Sequence, residues 1–151
     1  MSNSIEFHFN KTEDSSGYLL WQVTTLWQRK IKRELDTIDL THTQFVLLAS
    51  LAWLSKNQEI VTQIEIANHS KTDRMMVSKV LRTLQEKGFI TRKEHEIDTR
   101  AKAITLTETG GKILQRALTM VEQVDINFFS ILKDEVKPFN RNMLELITEN
   151  Q

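Results

Sequence analysis

A chain of 151 residues is long enough for one compact domain with a real core, and 40% hydrophobic with 26% charged residues is ordinary for a soluble globular fold. With no cysteine there is no disulfide framework, thiolate metal site or cysteine redox switch; with no apolar run long enough for a bilayer and a polar start over Met1 to Asn10, neither a membrane span nor a signal peptide is expected, and the simplest compartment is the cytoplasm. A net charge of zero says nothing about a polyanionic partner, while one proline and four glycines predict a mostly helical chain.

Residues 1–14 lack periodicity and read as a loosely packed arm. From Ser15 the pattern turns helical, with Leu20, Val23, Trp27, Ile31, Leu35 and Ile38 on one stripe at steps of three and four. Thr41-His42-Thr43-Gln44 is a capping box: a threonine oxygen takes a backbone N–H three residues on, and the glutamine reaches back. The helix it opens, Phe45 to Ser55, is apolar almost all round and should be the buried central one. Glu59-Ile60-Val61 suggests a short strand. Thr62-Gln63-Ile64-Glu65 is a second capping box, opening a short helix from Ile64 to Asn68. After the turn His69-Ser70-Lys71-Thr72, a helix is predicted from about Asp73 to Lys87, ended by Gly88.

Phe89 to Arg92 and Ala103 to Leu106 read as two strands of a hairpin with a charged tip between Lys93 and Lys102. Thr107 reads as the next cap. The helix beyond it carries Ile113, Leu114, Ala117, Leu118, Val121, Val124, Phe128, Ile131 and Leu132 at helical spacing. Lys137-Pro138 is expected to interrupt it, and a last short helix would carry Met143, Leu144, Leu146 and Ile147. The order of elements from Thr62 to Gly110 is helix, turn, helix, hairpin: a helix that can enter a groove beside a basic wing. The expected fold is therefore mainly α with a small β-wing. The whole of 1–151 forms one domain, with a winged helix-turn-helix core over 41–106 and flanking helices over 15–38 and 107–151.

Charge is distributed to match. Between Ser70 and Lys102 there are nine Lys/Arg and five acids, a local excess of +4 that the rest of the chain balances. On a helical wheel for 73–87, Val77, Val80, Leu81 and Leu84 share one side, which leaves Met75, Lys79, Arg82 and Glu86 opposite and Ser78 flanking. The start of such a helix touches bases and its later cations meet phosphates. The candidate DNA contacts are thus Lys71, Thr72, Arg74, Met75, Ser78, Lys79 and Arg82 on the helix, with Arg92, Arg100 and Lys102 on the wing. Met75 is either a flexible surface residue or a partner for a thymine methyl. Asp98, two residues before Arg100, could orient its guanidinium.

The segment Thr41 to Gly111 resembles the core of the MarR family of bacterial winged-helix regulators. The matching residues are Thr41 and Gln44; then Leu84, Gly88 and Arg92; then Asp98 and Arg100; then Leu106, Thr107 and Gly110. Each piece is weak alone; their order and spacing together are specific, and the flanking helices extend the resemblance over nearly the whole chain. It implies a homodimer on double-stranded, palindromic operator DNA near its own gene, usually a repressor. It also implies that the flanking helices form the dimer interface, that Arg100 enters the minor groove and that Asp98 positions it. Positions 75 and 76 depart from the family pattern, which has small or polar residues where this chain has two methionines. The absence of cysteine excludes the family's cysteine-sensing branch.

Many members bind a small aromatic effector in a cleft between the dimer helices and the winged domain. Trp21, Trp27, His42, Phe45 and Trp53 are the aromatic candidates here, although a tryptophan on an apolar helix face is ordinarily core and His42, beside a capping threonine, reads as a surface residue at a helix start. No two of the four histidines stand four apart on a helix, so no metal and no cofactor are expected. Three readings of function are open at this point: a regulator, repressing or activating; a winged-helix module that binds protein; and an enzyme. Nothing points to the last, since no phosphate-binding glycine loop or nucleophile motif is present.

Overall fold

The structure, a computed structural model, describes residues 4–94 and 102–151. Helix α1 (Ser16–Asp36) starts on Ser15, whose hydroxyl accepts the Tyr18 amide. Only its second half is core: Ile31 and Leu35 are fully buried and Ile38, just beyond the end, is largely so, whereas Leu20 and Val23 of the same stripe are exposed. The chain reverses at Asp39, in the left-handed region (φ 52°), and Leu40 returns to the core.

Helix α2 (His42–Leu54) carries the complete capping box: Gln44 N–H donates to Thr41 Oγ1, and Thr41 N–H donates to Gln44 Oε1. Leu47, Leu48 and Leu51 have no exposed surface, as the all-round apolar pattern requires of a central helix. Strand β1 (Val61–Thr62) leads directly into helix α3 (Gln63–Ser70), whose Thr62–Glu65 capping box is also complete. Helix α4 (Arg74–Glu86) follows. Strands β2 (Ile90–Glu94) and β3 (Lys102–Leu106) form the wing, and the sheet order is β1-β3-β2, all antiparallel, with Val61 opposite Ile104 and Ile90 opposite Leu106.

Helix α5 (Glu108–Phe129) packs on α1 and α2 through Leu114, Ala117 and Val121. The predicted break at Lys137-Pro138 is misplaced. The chain leaves α5 at Phe129, runs through a 3-10 segment at Ser130–Glu135 with Lys133 at φ 51°, and starts helix α6 (Val136–Glu149) before the proline. Pro138 lies in the first turn of α6, where a backbone N–H has no intrahelical acceptor and its loss costs nothing. Ile131 and Leu132, expected on the α5 stripe, fall in the 3-10 segment and are exposed.

Candidate nucleic-acid interface

Helix α4 is held at both ends by short-range chemistry. At its start Asp73 Oδ1 accepts the amides of Met75 and Met76 at 3.0 and 3.1 Å, satisfying two of the free donors of the first turn. At its end Gly88 adopts φ 79°, and the Gly88 and Phe89 amides bond back to the Gln85 and Leu84 carbonyls at 3.0 Å each. This is a Schellman close, which needs a residue without a Cβ penalty at the left-handed position. Between the ends, Val77, Leu81 and Leu84 are buried, so the opposite face is turned outward by necessity.

That outward face gathers most of the expected contacts. Met75, Ser78, Lys79 and Arg82 line one open groove with Met76 and Asp73. Lys71, Thr72 and Arg74 line a second, adjacent depression with Asp73, Ala67 and Asn68. Lys71 is the left-handed residue that ends α3 (φ 54°), and its exposed side chain stands at the helix-to-helix turn. The half-buried Thr72 hydroxyl donates to the Ser70 carbonyl within that turn.

The wing is tied to this helix at its root. Arg92, expected near the hairpin tip, is half-buried on β2, and its Nη1 donates to the Ser78 carbonyl at 3.4 Å. Its geometry is that of a strut between β2 and α4. Lys102 pairs with Glu94 in the strand ladder and is half-buried. Asp98 and Arg100 lie outside the described residues.

The Leu-Thr-x-x-Gly run acquires a physical meaning here. Thr107 Oγ1 donates to the Gly88 carbonyl at 2.6 Å and accepts the Gly110 amide at 3.0 Å, capping α5 while gripping the end of α4. The Thr107 amide donates to Phe89 O. A Cβ on Gly110 would lie 1.9 Å from that same Phe89 carbonyl oxygen, so only glycine permits the approach. Lys87 anchors the same end of α4 to the α1–α2 turn by donating to the Asp39 carbonyl at 2.6 Å.

The aromatic candidates divide. Trp21 (73% exposed) and Trp53 (58%) are not core, contrary to the ordinary expectation for tryptophan: Trp21 sits on the uncovered half of α1, and Trp53 stands outside α2, where the Lys56 ammonium lies 4.5 Å from its ring centre. Trp27, His42 and Phe45 do come together. The Trp27 Nε1–H donates to Asp125 Oδ1 at 2.7 Å, and His42 meets Trp27 edge-on at 5.2 Å and stacks at 6.5 Å from Phe45. His42 is thus half-buried in an aromatic cluster between α1, α2 and α5, and not a plain surface residue. Burial pushes its imidazole below the usual value, partly offset by the nearby Asp125 carboxylate. Asp73, Met76 and Asp125 were not foreseen as part of these surfaces. An aspartate immediately before an amphipathic run is a cap signal, which could have found the first of them.

Among the described residues no three His, Asp or Glu converge as metal ligands, and no helix is long and apolar enough to cross a membrane.

Comparison with known proteins agrees with this geometry. Residues 36–125 match the ArnR1-like winged-helix domain. The chain is 46% identical over 128 residues to an uncharacterized HTH-type transcriptional regulator of Bacillus subtilis (strain 168), YdcH, covering 83% of this chain and 87% of that one. The S. aureus MepR–DNA complex superposes with a TM-score of 0.81 at 26% identity, over 89% of this chain and 98% of that chain. A mutant of E. coli MarR complexed with operator DNA superposes with a TM-score of 0.78 at 23% identity, over 86% and 91% of the two chains. With the capped, outward-facing α4, the β-wing rooted on it and these relatives, the chain belongs to the MarR family of DNA-binding winged helix-turn-helix transcriptional regulators.

Proposed function

We propose that this regulator is a homodimer that binds a palindromic operator in a sequence-specific way and represses its own or neighbouring genes, acting in the cytoplasm where the DNA is and performing no catalysis. The observation that carries DNA reading is the division of α4 into a buried face and a cationic outward face bearing Lys79 and Arg82, opposite a wing strapped to it by Arg92. The dimer reading is supported by apolar side chains that no described residue covers: Leu20 and Trp21 on α1, Ile126 on α5, and Leu144, Leu146 and Ile147 on α6. These lie on the two ends of the chain, and a second copy would cover them while spacing two α4 helices for two half-sites. On the wing, Lys102 and, by the family resemblance, Arg100 positioned by Asp98 complete the contact set, with Lys71, Thr72, Arg74, Met75 and Ser78 on the helix side. The cluster of half-buried Trp27 and His42 on buried Phe45, at the junction of α1, α2 and α5, supports release by a small aromatic effector, since aromatic rings with one polar handle suit such a ligand.

The test is binding of the purified protein to the duplex upstream of its own gene, titrated across salt against a scrambled duplex. Tight, selective binding that falls steeply between roughly 50 and 200 mM salt is expected, because phosphate contacts release counterions. Arg100→Ala should lower affinity at least about tenfold while leaving the dimer intact. Equal weak binding to both duplexes would defeat operator reading at this site and favour a protein partner for the same face.

A further inference from the structure

The first turn of α4 is built in an unusual way for a surface that meets a polyanion. Met75 is 82% exposed and Met76 48% exposed, and both line the same open groove as Lys79 and Arg82. A helix start ordinarily offers free amides to phosphate. Here the Met75 and Met76 amides are already given to Asp73 Oδ1, and a carboxylate occupies the place an anion would take. What remains at this turn for a partner is apolar: two flexible thioether side chains. The cations needed for phosphates come one and two turns later, at Lys79 and Arg82.

We propose that Met75, with Met76 beside it, recognises thymine methyl groups in the operator, so that each half-site carries a thymine whose C5 methyl is read by this pair. The inference rests on the DNA-reading function proposed above and assigns its sequence preference. The C5 methyl of thymine is the one methyl among the base edges of the major groove; apart from the small C5–H of cytosine, the groups displayed beside it are hydrogen-bond donors or acceptors. A residue at the start of a groove-entering helix faces base edges. An unbranched thioether adapts to a small apolar contact without demanding one geometry. The flanking cations argue for DNA over an apolar protein surface as the occupant, because Lys79 and Arg82 share the groove with the methionines and would be desolvated without partners against an apolar surface.

The experiment selects a preferred duplex from a random-sequence library on the wild-type protein, then replaces thymidines in it one position at a time, symmetrically in both half-sites, with deoxyuridine. That change pairs identically and deletes only the methyl. At one symmetric position the affinity should drop about fourfold per methyl, hence roughly fifteenfold for the pair, the loss expected for exposing one buried methyl-sized group at each half-site. In Met75→Ala the same deoxyuridine duplex and its thymidine parent should bind within about twofold of each other, and Met75→Leu should restore the discrimination. Selection of a preferred duplex whose thymidines can all be replaced with less than a twofold change would overturn the methyl reading alone. The same holds if Met75→Ala keeps the full discrimination. Failure of the library to yield any preferred sequence would overturn the DNA-reading function and this inference with it.

Discussion

Helices α4 and α6 have nearly the same length, 13 and 14 residues, and both are amphipathic, yet they meet opposite fates within the chain. In α4 the apolar side is gone from solvent: Val77, Leu81 and Leu84 are all 1% exposed or less. In α6 no residue is buried, and Leu144 (63% exposed), Leu146 and Ile147 face outward. An amphipathic pattern states that one face needs cover; it does not state what covers it. For α4 the cover is the winged core of the same chain. For α6 the described residues supply none, which is what supports the proposed subunit interface.

The comparison predicts where mutations act. The largest effect should come at the knot that seats α4 against α5. Gly110→Ala drives a Cβ into the Phe89 carbonyl and should cost upwards of about 3 kcal/mol, or prevent folding, read from urea denaturation. Leu84→Ala should come next, at about 3 kcal/mol, as a cavity under a fully buried side chain. Its counterpart Leu144→Ala should leave protomer stability within about 0.5 kcal/mol and instead weaken the proposed dimerisation in sedimentation at micromolar protein; removal of residues 138–151 should likewise weaken it by light scattering. Were Leu144→Ala to unfold the protomer as Leu84→Ala does, the contrast between the two helices would be false.

Smaller effects sharpen the same division. Asp73→Ala removes the cap of α4 and should cost about 1 kcal/mol by urea denaturation. A weakening of operator binding larger than that loss accounts for would show that the cap orders the first turn for contact. The smallest effect is a pH dependence at the cap of α3. The Glu65 carboxyl is held below its ordinary value first by the Thr62 backbone amide, against opposing burial, with further help from the Thr62 hydroxyl and Gln58. A depressed folded pKa contributes stability above the unfolded value of about 4.3 and loses it as pH falls through the folded one. The urea midpoint of the wild type should therefore exceed that of Glu65→Gln at pH 6, and the two should converge well below pH 4. A gap that persists unchanged in acid would place the stabilisation in packing and not in the carboxylate charge.

Much of the fold was legible because its signals act within a turn or two. Thr41 with Gln44, Thr62 with Glu65, Thr107 before α5 and Gly88 after α4 all sit where expected, since a cap involves partners two or three residues apart and a left-handed close involves one backbone angle. The alternation of Val77, Leu81 and Leu84 with Lys79 and Arg82 likewise decided which side of α4 faces out. The break near the end of the chain was misjudged because Pro138 is a strong punctuator in any sequence, yet a proline in the first turn of a helix disturbs nothing. The positive φ at Lys133, which accompanies the break, carries no residue-type signal.

The remaining features depend on residues far apart in sequence. Arg92 reads as one more wing cation until Ser78, fourteen residues earlier, is found opposite it. His42 reads as a helix-start surface residue until Trp27 arrives from α1 and Asp125 from α5 to bury it. Why Gly110 is glycine is invisible locally, because its constraint is the carbonyl of Phe89. By itself the sequence determined the identity, order and ends of the helices and the charge of the reading face, since those follow from hydrogen bonds and hydrophobic spacing within a few residues. Only the tertiary structure decided which apolar faces are covered, which cations are struts and which stay exposed, since burial is a property of whatever element folding brings opposite.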